Sequence, residues 1–429
     1  MREALRGLTL RGRSFVSAGL ACVLAAFLVG QQDVLRLGLF VLGLPILAAF
    51  WTMRSRYRLA HSREVVPPRA PVGEIAEVRL HVKNLSAWPT TVLLLEDRLS
   101  YTLGGRPRFV LDRVEAGGAR EVTYPLRSDV RGRYALGPLT VRVADPFGLC
   151  ELSRAFTAAD ELIVTPVVHK LPEIGLGGEW AGGGDTRSRS VASAGEDDAS
   201  TREYRHGDDL RKVHWKSTAR TGELMVRREE QPWQSRSTLI LDTRSAAHLG
   251  DGPGSSFEFA VSAAASIGIH LTHAGHSLRY LTDAGEDVGT SAGHATERVL
   301  LESLAVVTMS KNPGLRGATS RLSSSGEGLL LAVVGMMDPD EAAALARTSQ
   351  VAAGAIAVLV NAPTWTPNAV RSHTHTEAAV RANAAVLRGA GWRVIVASHG
   401  ETLATLWPQV SRRSTGSFRA AGTMREVAR

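Results

Sequence analysis

Cysteine is almost absent: Cys22 and Cys150 are the two in 429 residues. They lie far apart in unlike surroundings, which excludes a disulfide framework and fits a reducing compartment. Histidine and cysteine form no cluster at metal-ligand spacing. The closest pair, His373-Thr374-His375, lacks a third ligand and reads as a solvated loop or one face of a strand. Lysine is scarce too, five against 45 arginines, an imbalance that a GC-rich genome explains more simply than binding does. A net positive charge is missing from most of the chain. Residues 1–63 hold nine arginines against Glu3 and Asp33, a net +7 that leaves +1 for the remainder of the +8 total. A basic surface for nucleic acid is therefore excluded beyond the N-terminus. The glycines between 177 and 184 are not followed by G-x-x-x-x-G-K-[ST], so a phosphate-cradling loop is excluded as well.

What is present first is a pair of apolar runs. Residues 15–30 carry no charge, and residues 34–53 carry only Arg36. A helix rising ~1.5 Å per residue needs about 20 residues to cross a ~30 Å hydrocarbon core, and both runs sit near that length. Arg36 lies beside the polar link, where its head reaches the interface. Trp51 and Tyr57 lie at the far end, where aromatic anchors belong. The second run and the basic block after it argue against a cleaved signal peptide. Basic residues flank both outer ends and are missing from the link, which predicts a multi-pass inner-membrane or plasma-membrane protein with both termini in the cytoplasm.

Residues 70–170 change to period two. Val78, Leu80 and Val82 alternate with Arg79, His81 and Lys83, and Leu139, Val141 and Val143 repeat the pattern. Short alternating runs punctuated by Gly, Pro, Asn and Asp predict an antiparallel β-sandwich. Asp145-Pro146-Phe147-Gly148 reads as a turn closing a strand, with Phe147 packed inward. Residues 171–200 are rich in Gly and Ser and read as a flexible linker, and residues 411–429 as a disordered tail.

The densest stretch of the chain follows. Residues 195–230 contain eight Arg or Lys and nine Asp or Glu around Tyr204, Gly207, Trp215 and Leu224. Such near-neutral, alternating charge suits pairing with itself or with a patterned partner. Leu210, Val213 and Trp215 predict an apolar strand edge, with Tyr204 and Trp215 as buried anchors. The run R-E-Y-x-x-G-D-D-x-R-x-x-x-W-x-x-x-A-R over residues 202–220, with R-G-R-Y-x-L-G-P-L-x-V-x-V-x-D-P-F-G-L over residues 131–149, resembles domain-of-unknown-function family 58. These are bacterial membrane-anchored proteins with a von Willebrand factor A-like domain, commonly associated with MoxR-type AAA+ ATPases. The resemblance implies such an ATPase as partner, with the bilayer and other envelope membrane proteins beside it, and brings no cofactor. It makes Arg202, Glu203, Tyr204, Gly207, Asp208, Asp209, Arg211, Trp215, Ala219 and Arg220 the candidates for partner docking.

From residue 237 short apolar runs alternate with helical patterns: strands near 238–241, 277–281, 328–334, 355–360 and 393–397, helices near 257–273, 295–309, 338–348, 376–389 and 401–410. This predicts a parallel sheet covered on both faces, with ligands at the carboxyl ends of its strands. The expected fold is thus multidomain α+β: transmembrane helical hairpin (1–63), β-sandwich (70–170), linker (171–200), and a signature motif with a Rossmann-like α/β domain (201–410), which the resemblance implies is von Willebrand A-like. The resemblance implies a D-x-S-x-S cation site after the first strand. Here Asp242 remains, while Arg244 and Ala246 replace the serines. Two oxygen ligands are lost and a guanidinium is gained, so no metal is expected in that manner.

The expected function is a membrane-anchored, cytoplasm-facing scaffold or adaptor rather than an enzyme. It would work with a MoxR-type ATPase in protein-complex maturation or cell-envelope processes. The alternative is a metal-dependent hydrolase using Asp208 and Asp209 with Glu203 and His214, since paired carboxylates can hold Mg²⁺. The topology is testable directly. A reporter fused after Arg63 is expected to be active only in the cytoplasm, and one inserted at Gln32 only outside. An exported reporter after Arg63 would reverse the orientation.

Overall fold

The computed structural model describes residues 7–54, 58–145, 147–173, 201–203, 213, 215–227, 236–285, 287–289, 294–323, 328–366 and 373–411. The expected linker lies mostly, and the expected tail almost wholly, outside these residues. The chain divides into two compact units, residues 1–167 with 301–307, and residues 168–300 with 308–429.

The first unit begins with two helices, α1 (Leu10–Val29) and α2 (Gln32–Arg54). Both are long and apolar enough to cross a membrane. Thr9 caps α1 by accepting from the Gly12 amide (3.2 Å), and Gly30 ends it at φ 73°. Glycines let the two helices approach closely. A Cβ at Gly19 would come within 2.8 Å of the Leu42 side chain, and one at Gly38 within 2.9 Å of Val23. Small residues at the contact and large apolar ones outside, Leu20, Leu24, Phe40 and Leu47 among them, are the pattern of helices that pack within lipid.

Ten strands follow: β1 (Leu59–Val66), β2 (Arg69–Pro71), β3 (Ile75–Asn84), β4 (Leu93–Asp97), β5 (Arg108–Leu111), β6 (Ala119–Arg127), β7 (Gly132–Leu136), β8 (Leu139–Ala144), β9 (Glu151–Ala155) and β10 (Asp160–Thr165). They form sheets of order β1-β3-β6, β2-β10-β7 and β5-β4-β8-β9. Period two explains the layering. Ala76, Val78, Leu80 and Val82 of β3 are buried, while the residues between them are less so. Ala76 and Val78 pack with Leu136, Leu162 and Val164 of the second sheet. Leu80 and Val82 pack with Leu93, Leu95, Val141 and Val143 of the third. Pairing is antiparallel as the alternation predicts, apart from three residues of β2 that run parallel to β10.

One polar network sits inside this apolar frame. The side chains of Arg63 on β1 and Asp97 on β4 are fully buried and 2.8 Å apart. The guanidinium also donates to the Leu136 carbonyl (3.0 Å) and to Asp160 (2.8 Å), and the Tyr124 hydroxyl donates to Asp97 (2.6 Å). Burial alone would lower the Arg63 pKa, but the Asp97 and Asp160 carboxylates more than offset it and hold the cation. Burial, then the hydrogen bond to Asp97, pushes the Tyr124 phenol up. The cluster ties β1, β4, β6, β7 and β10 together.

In the second unit β11 (Thr201–Glu203) pairs antiparallel with β12 (Met225–Arg227), and α3 (Trp215–Thr221) precedes β12. The main sheet has order β15-β14-β13-β16-β17-β18, from β13 (Arg236–Leu241), β14 (Ser277–Thr282), β15 (Asp287–Gly289), β16 (Leu329–Val334), β17 (Gly354–Val360) and β18 (Arg393–Ala397). Five strands are parallel, and β15 is an antiparallel edge. Helices α4 (Ser256–His273), α5 (His294–Val306, of which residues 301–306 count with the first unit), α6 (Arg316–Ser323), α7 (Pro339–Arg347), α8 (His373–Gly389) and α9 (Leu403–Leu406) connect the strands or follow the last. Ile240, Leu330, Ala332 and Leu359 pack under Leu345 of α7 and Val380, Ala384 and Leu387 of α8. Every residue of β16 is buried, as expected for a central parallel strand.

Three local expectations are corrected. His373 and His375 open α8, because the helix begins before its first apolar position; they lie in neither a loop nor a strand. The helix expected over 401–410 shrinks to α9 plus a 3₁₀ turn over Trp407–Val410, where Pro408 lacks an amide hydrogen. Phe147 points out, with 67% of its surface exposed.

The buried ion pair supplies a test. Arg63→Met alone strands the Asp97 carboxylate and is expected to cost ~3–5 kcal/mol. Arg63→Met with Asp97→Leu removes both charges and is expected to cost less. Chemical denaturation followed by tryptophan fluorescence checks the order.

Candidate functional site

The carboxyl ends of β13 and β14 carry polar residues of the kind that a parallel sheet offers to a ligand. Leu241 and Thr282 are register partners, so Asp242 and Asp283 leave the sheet side by side. Their surroundings differ.

Asp242 is fully buried and faces Arg244, itself buried. Arg244 Nε donates to Asp242 Oδ1 (2.9 Å) and Nη2 to Oδ2 (2.9 Å), a fork-on-fork pair. The Gly335 amide donates to the same carboxylate (3.2 Å). Arg244 Nη1 reaches Glu341 Oε1 (2.5 Å), and Nη2 also donates to the Met336 carbonyl (3.0 Å). Burial would lower the Arg244 pKa, yet Asp242 and then Glu341 raise it, so the guanidinium is a fixed cation. Glu341 also closes a helix start. Its Oε2 accepts from the Asp338 amide (3.1 Å), while Asp338 accepts from the Glu341 amide (2.7 Å). This capping box starts α7, so the start of α7 is joined to Arg244. Ala246 is exposed and brings no oxygen. A divalent ion here would have to displace a guanidinium held by both carboxylates. His248 Nε2 lies 2.8 Å from the Asp242 carbonyl, and burial holds this ring's pKa down.

Asp283 instead fastens loops. It accepts from the Thr243 amide (2.9 Å) and hydroxyl, from Ser310 Oγ (2.7 Å) and from Asn312 Nδ2 (2.8 Å). Burial would raise its pKa, but these donors lower it. Beside Asp283 opens a cleft of about 840 Å³, with Asp283, Asn312, Arg316, Asp338, Glu341 and Arg347 on its wall. Asp283, Ser310, Asn312 and Glu341 do not stand out in the sequence. The signal that could have found Asp283 is its position directly after a predicted strand, as for Asp242.

Among the docking candidates, Tyr204, Gly207, Asp208, Asp209 and Arg211 lie outside the described residues, as does His214. Arg202 and Glu203 fall in β11, opposite Val226 and Met225. Val213 also bridges to Val226 and is buried. Trp215 departs from expectation. It begins α3 rather than continuing a strand, and 71% of its surface is exposed. The run W-K-S-T-A-R-T has one large apolar side chain, so its helix has no apolar stripe to bury. Ala219, one turn on, and Arg220 are exposed with it. Gly222 at φ 77° ends the helix, and the Thr218 hydroxyl accepts from the Met225 amide (3.0 Å) to hold β12 against it.

Residues 200–364 match the family described as Protein of unknown function DUF58. No curated protein matches the chain. Among solved structures, similarity is found to the CARDB domain of the PF1109 protein from Pyrococcus furiosus, in complex with di-metal ions. It is 17% identical, covering 25% of this chain and 93% of that one, with a TM-score of 0.20. A chain of the complex between Zinc 2-glycoprotein and Prolactin inducible protein from human seminal plasma is 12% identical, covering 26% and 97%, with a TM-score of 0.20. At these scores neither likeness bears on fold or function.

Asp283 makes the site acid-sensitive. Its folded pKa is depressed, so the unfolded chain holds that proton more tightly. The stability it contributes is full above pH ~4 and is lost as pH falls below that value. Asp283→Asn is expected to be less stable than wild type at neutral pH and to show a shallower loss as pH falls below ~4. Melting temperature against pH measures both.

Proposed function

We propose that this chain, a member of domain-of-unknown-function family 58 by residues 200–364, is a membrane-anchored scaffold or adaptor. Its second unit is read as a von Willebrand A-like domain with a non-metal closure, facing the cytoplasm. The partner is a MoxR-type AAA+ ATPase, and the process is protein-complex maturation or a cell-envelope function. The observation that carries the reading is Trp215, a large aromatic left exposed inside the densest charged motif of the chain. An exposed tryptophan among mixed charges has the make-up of an interface anchor: apolar area at the centre, and charges around it that set orientation. The closed Asp242–Arg244–Glu341 cluster agrees with this. Its carboxylates serve an internal cation, which favours a binding surface over a metal-assisted reaction.

Affinity purification from native membranes tests the reading. An AAA+ ATPase is expected to co-purify with the wild-type chain. Trp215→Ala is expected to change stability by less than ~0.5 kcal/mol, as for an exposed site, yet to reduce ATPase recovery strongly. Asp208→Asn with Asp209→Asn is expected to do the same. Recovery of the ATPase at wild-type levels from both variants would sink the docking role. A calorimetric Mg²⁺ signal abolished by the Asp208/Asp209 change would favour the hydrolase instead.

A further inference from the structure

The D-P-F-G-L turn has no part in the reading above, and its geometry is specific. The Asp145 carboxylate accepts from the Phe147 amide (3.0 Å) and the Cys150 amide (2.6 Å), and Gly148 turns the chain at φ 66°. The segment leading into α1 lies directly on this turn. The Thr9 amide donates to the Leu149 carbonyl (3.0 Å), and the Thr9 hydroxyl donates to the Gly148 carbonyl (2.6 Å). The Glu151 amide donates to the Gly7 carbonyl (2.7 Å), and Leu8 pairs antiparallel with Cys150. Gly12 allows the contact: a Cβ there would overlap the Leu149 carbonyl oxygen. Turn and helix start are one structure.

That junction has a defined depth. Leu10 opens a 20-residue helix that is uncharged from Ser14 onward. At ~1.5 Å per residue its length is about 30 Å, the thickness of the hydrocarbon core, so its first turn lies at the bilayer boundary. At this level the side chain of Phe147 is exposed, and so is that of Leu10 at 81%. Arg11 and Arg13 are exposed on the same helical turn, and Arg11 Nη1 lies 3.9 Å from where a Gly148 Cβ would be. An aromatic ring beside guanidinium groups is the composition that a headgroup layer receives.

We propose that the turn bounded by Asp145 and Cys150, through its described residues 147–150, is a membrane-contacting foot, with Phe147 inserted at the headgroup–acyl boundary and Arg11 and Arg13 on lipid phosphates. The foot fixes how the β-rich part of the first unit stands on the bilayer. The inference rests on α1 spanning that bilayer.

The test uses the full chain in vesicles of phosphatidylcholine and phosphatidylglycerol. The photoreactive residue p-benzoylphenylalanine replaces Phe147, Leu20 or Tyr101 in turn. Leu20 reports whether α1 is in lipid. Tyr101 is 96% exposed but follows the end of β4 that pairs with Leu139, at the opposite end of β8 from the turn. Lipid adducts are expected at 147 in a yield near that at 20 and several-fold above that at 101. Adducts at 20 without adducts at 147 would overturn the foot while leaving the span intact. Lipid adducts at neither would overturn both. Gly12→Val, which drives a side chain into the Leu149 carbonyl, is expected to abolish lipid adducts at 147 and keep those at 20. Undiminished adducts at 147 in that variant would overturn the role given to the junction.

Discussion

A guanidinium taken out of water must be met by carboxylates, and Arg244 imposes that condition on the carboxyl edge of the parallel sheet. Asp242 meets it from the end of β13 and Glu341 from the first turn of α7. Because the other oxygen of Glu341 closes the capping box with Asp338, the position of α7 follows from the position of one arginine head. The neighbouring Asp283 is then free to bind loops instead of charge, through Thr243, Ser310 and Asn312. Two adjacent carboxylates on one sheet edge thus hold different things. The difference comes from what faces each: a cation for one, neutral donors for the other.

The first unit repeats the device with Arg63. There the partners come from strands distant in sequence, Asp97 and Asp160, with Tyr124 supplying the remaining proton. A buried pair of this kind is weak evidence for net stability, since apolar replacements of the same volume can do as well. Its role here is positional. Each partner lies on a different strand, so one strand slipping past another would leave a charge unpaired in an apolar interior.

Periodicity made most of the architecture readable. The alternation in β3 and β8, the two apolar runs and the strand–helix alternation after residue 236 all rest on side-chain pattern, which local sequence carries. What pattern does not carry is partnership across the chain. Nothing near Arg63 in the sequence points to Asp160, and nothing near Asp242 points to Glu341. The short edge strand β15 and the polar helix α6 escape sequence reading because three residues, or a run with few apolar positions, give no period to detect. Trp215 and Phe147 are expected inside for a shared reason. Apolar area favours burial by default, and only the finished fold shows which aromatic side chains are left without a core to enter.

The junction at Thr9 has a mechanical consequence. Gly7 and Leu8 run along the edge formed by Cys150 and Glu151, and the helix starts two residues later, so no slack chain lies between strand edge and helix. A linker of even a few flexible residues would let the β-rich body swivel freely. Here bending at that point must break backbone hydrogen bonds. Torque applied to the body is therefore delivered to α1, and through the close contacts at Gly19 and Gly38 to α2, so that the hairpin turns with its load as a shaft turns with a rigid coupling.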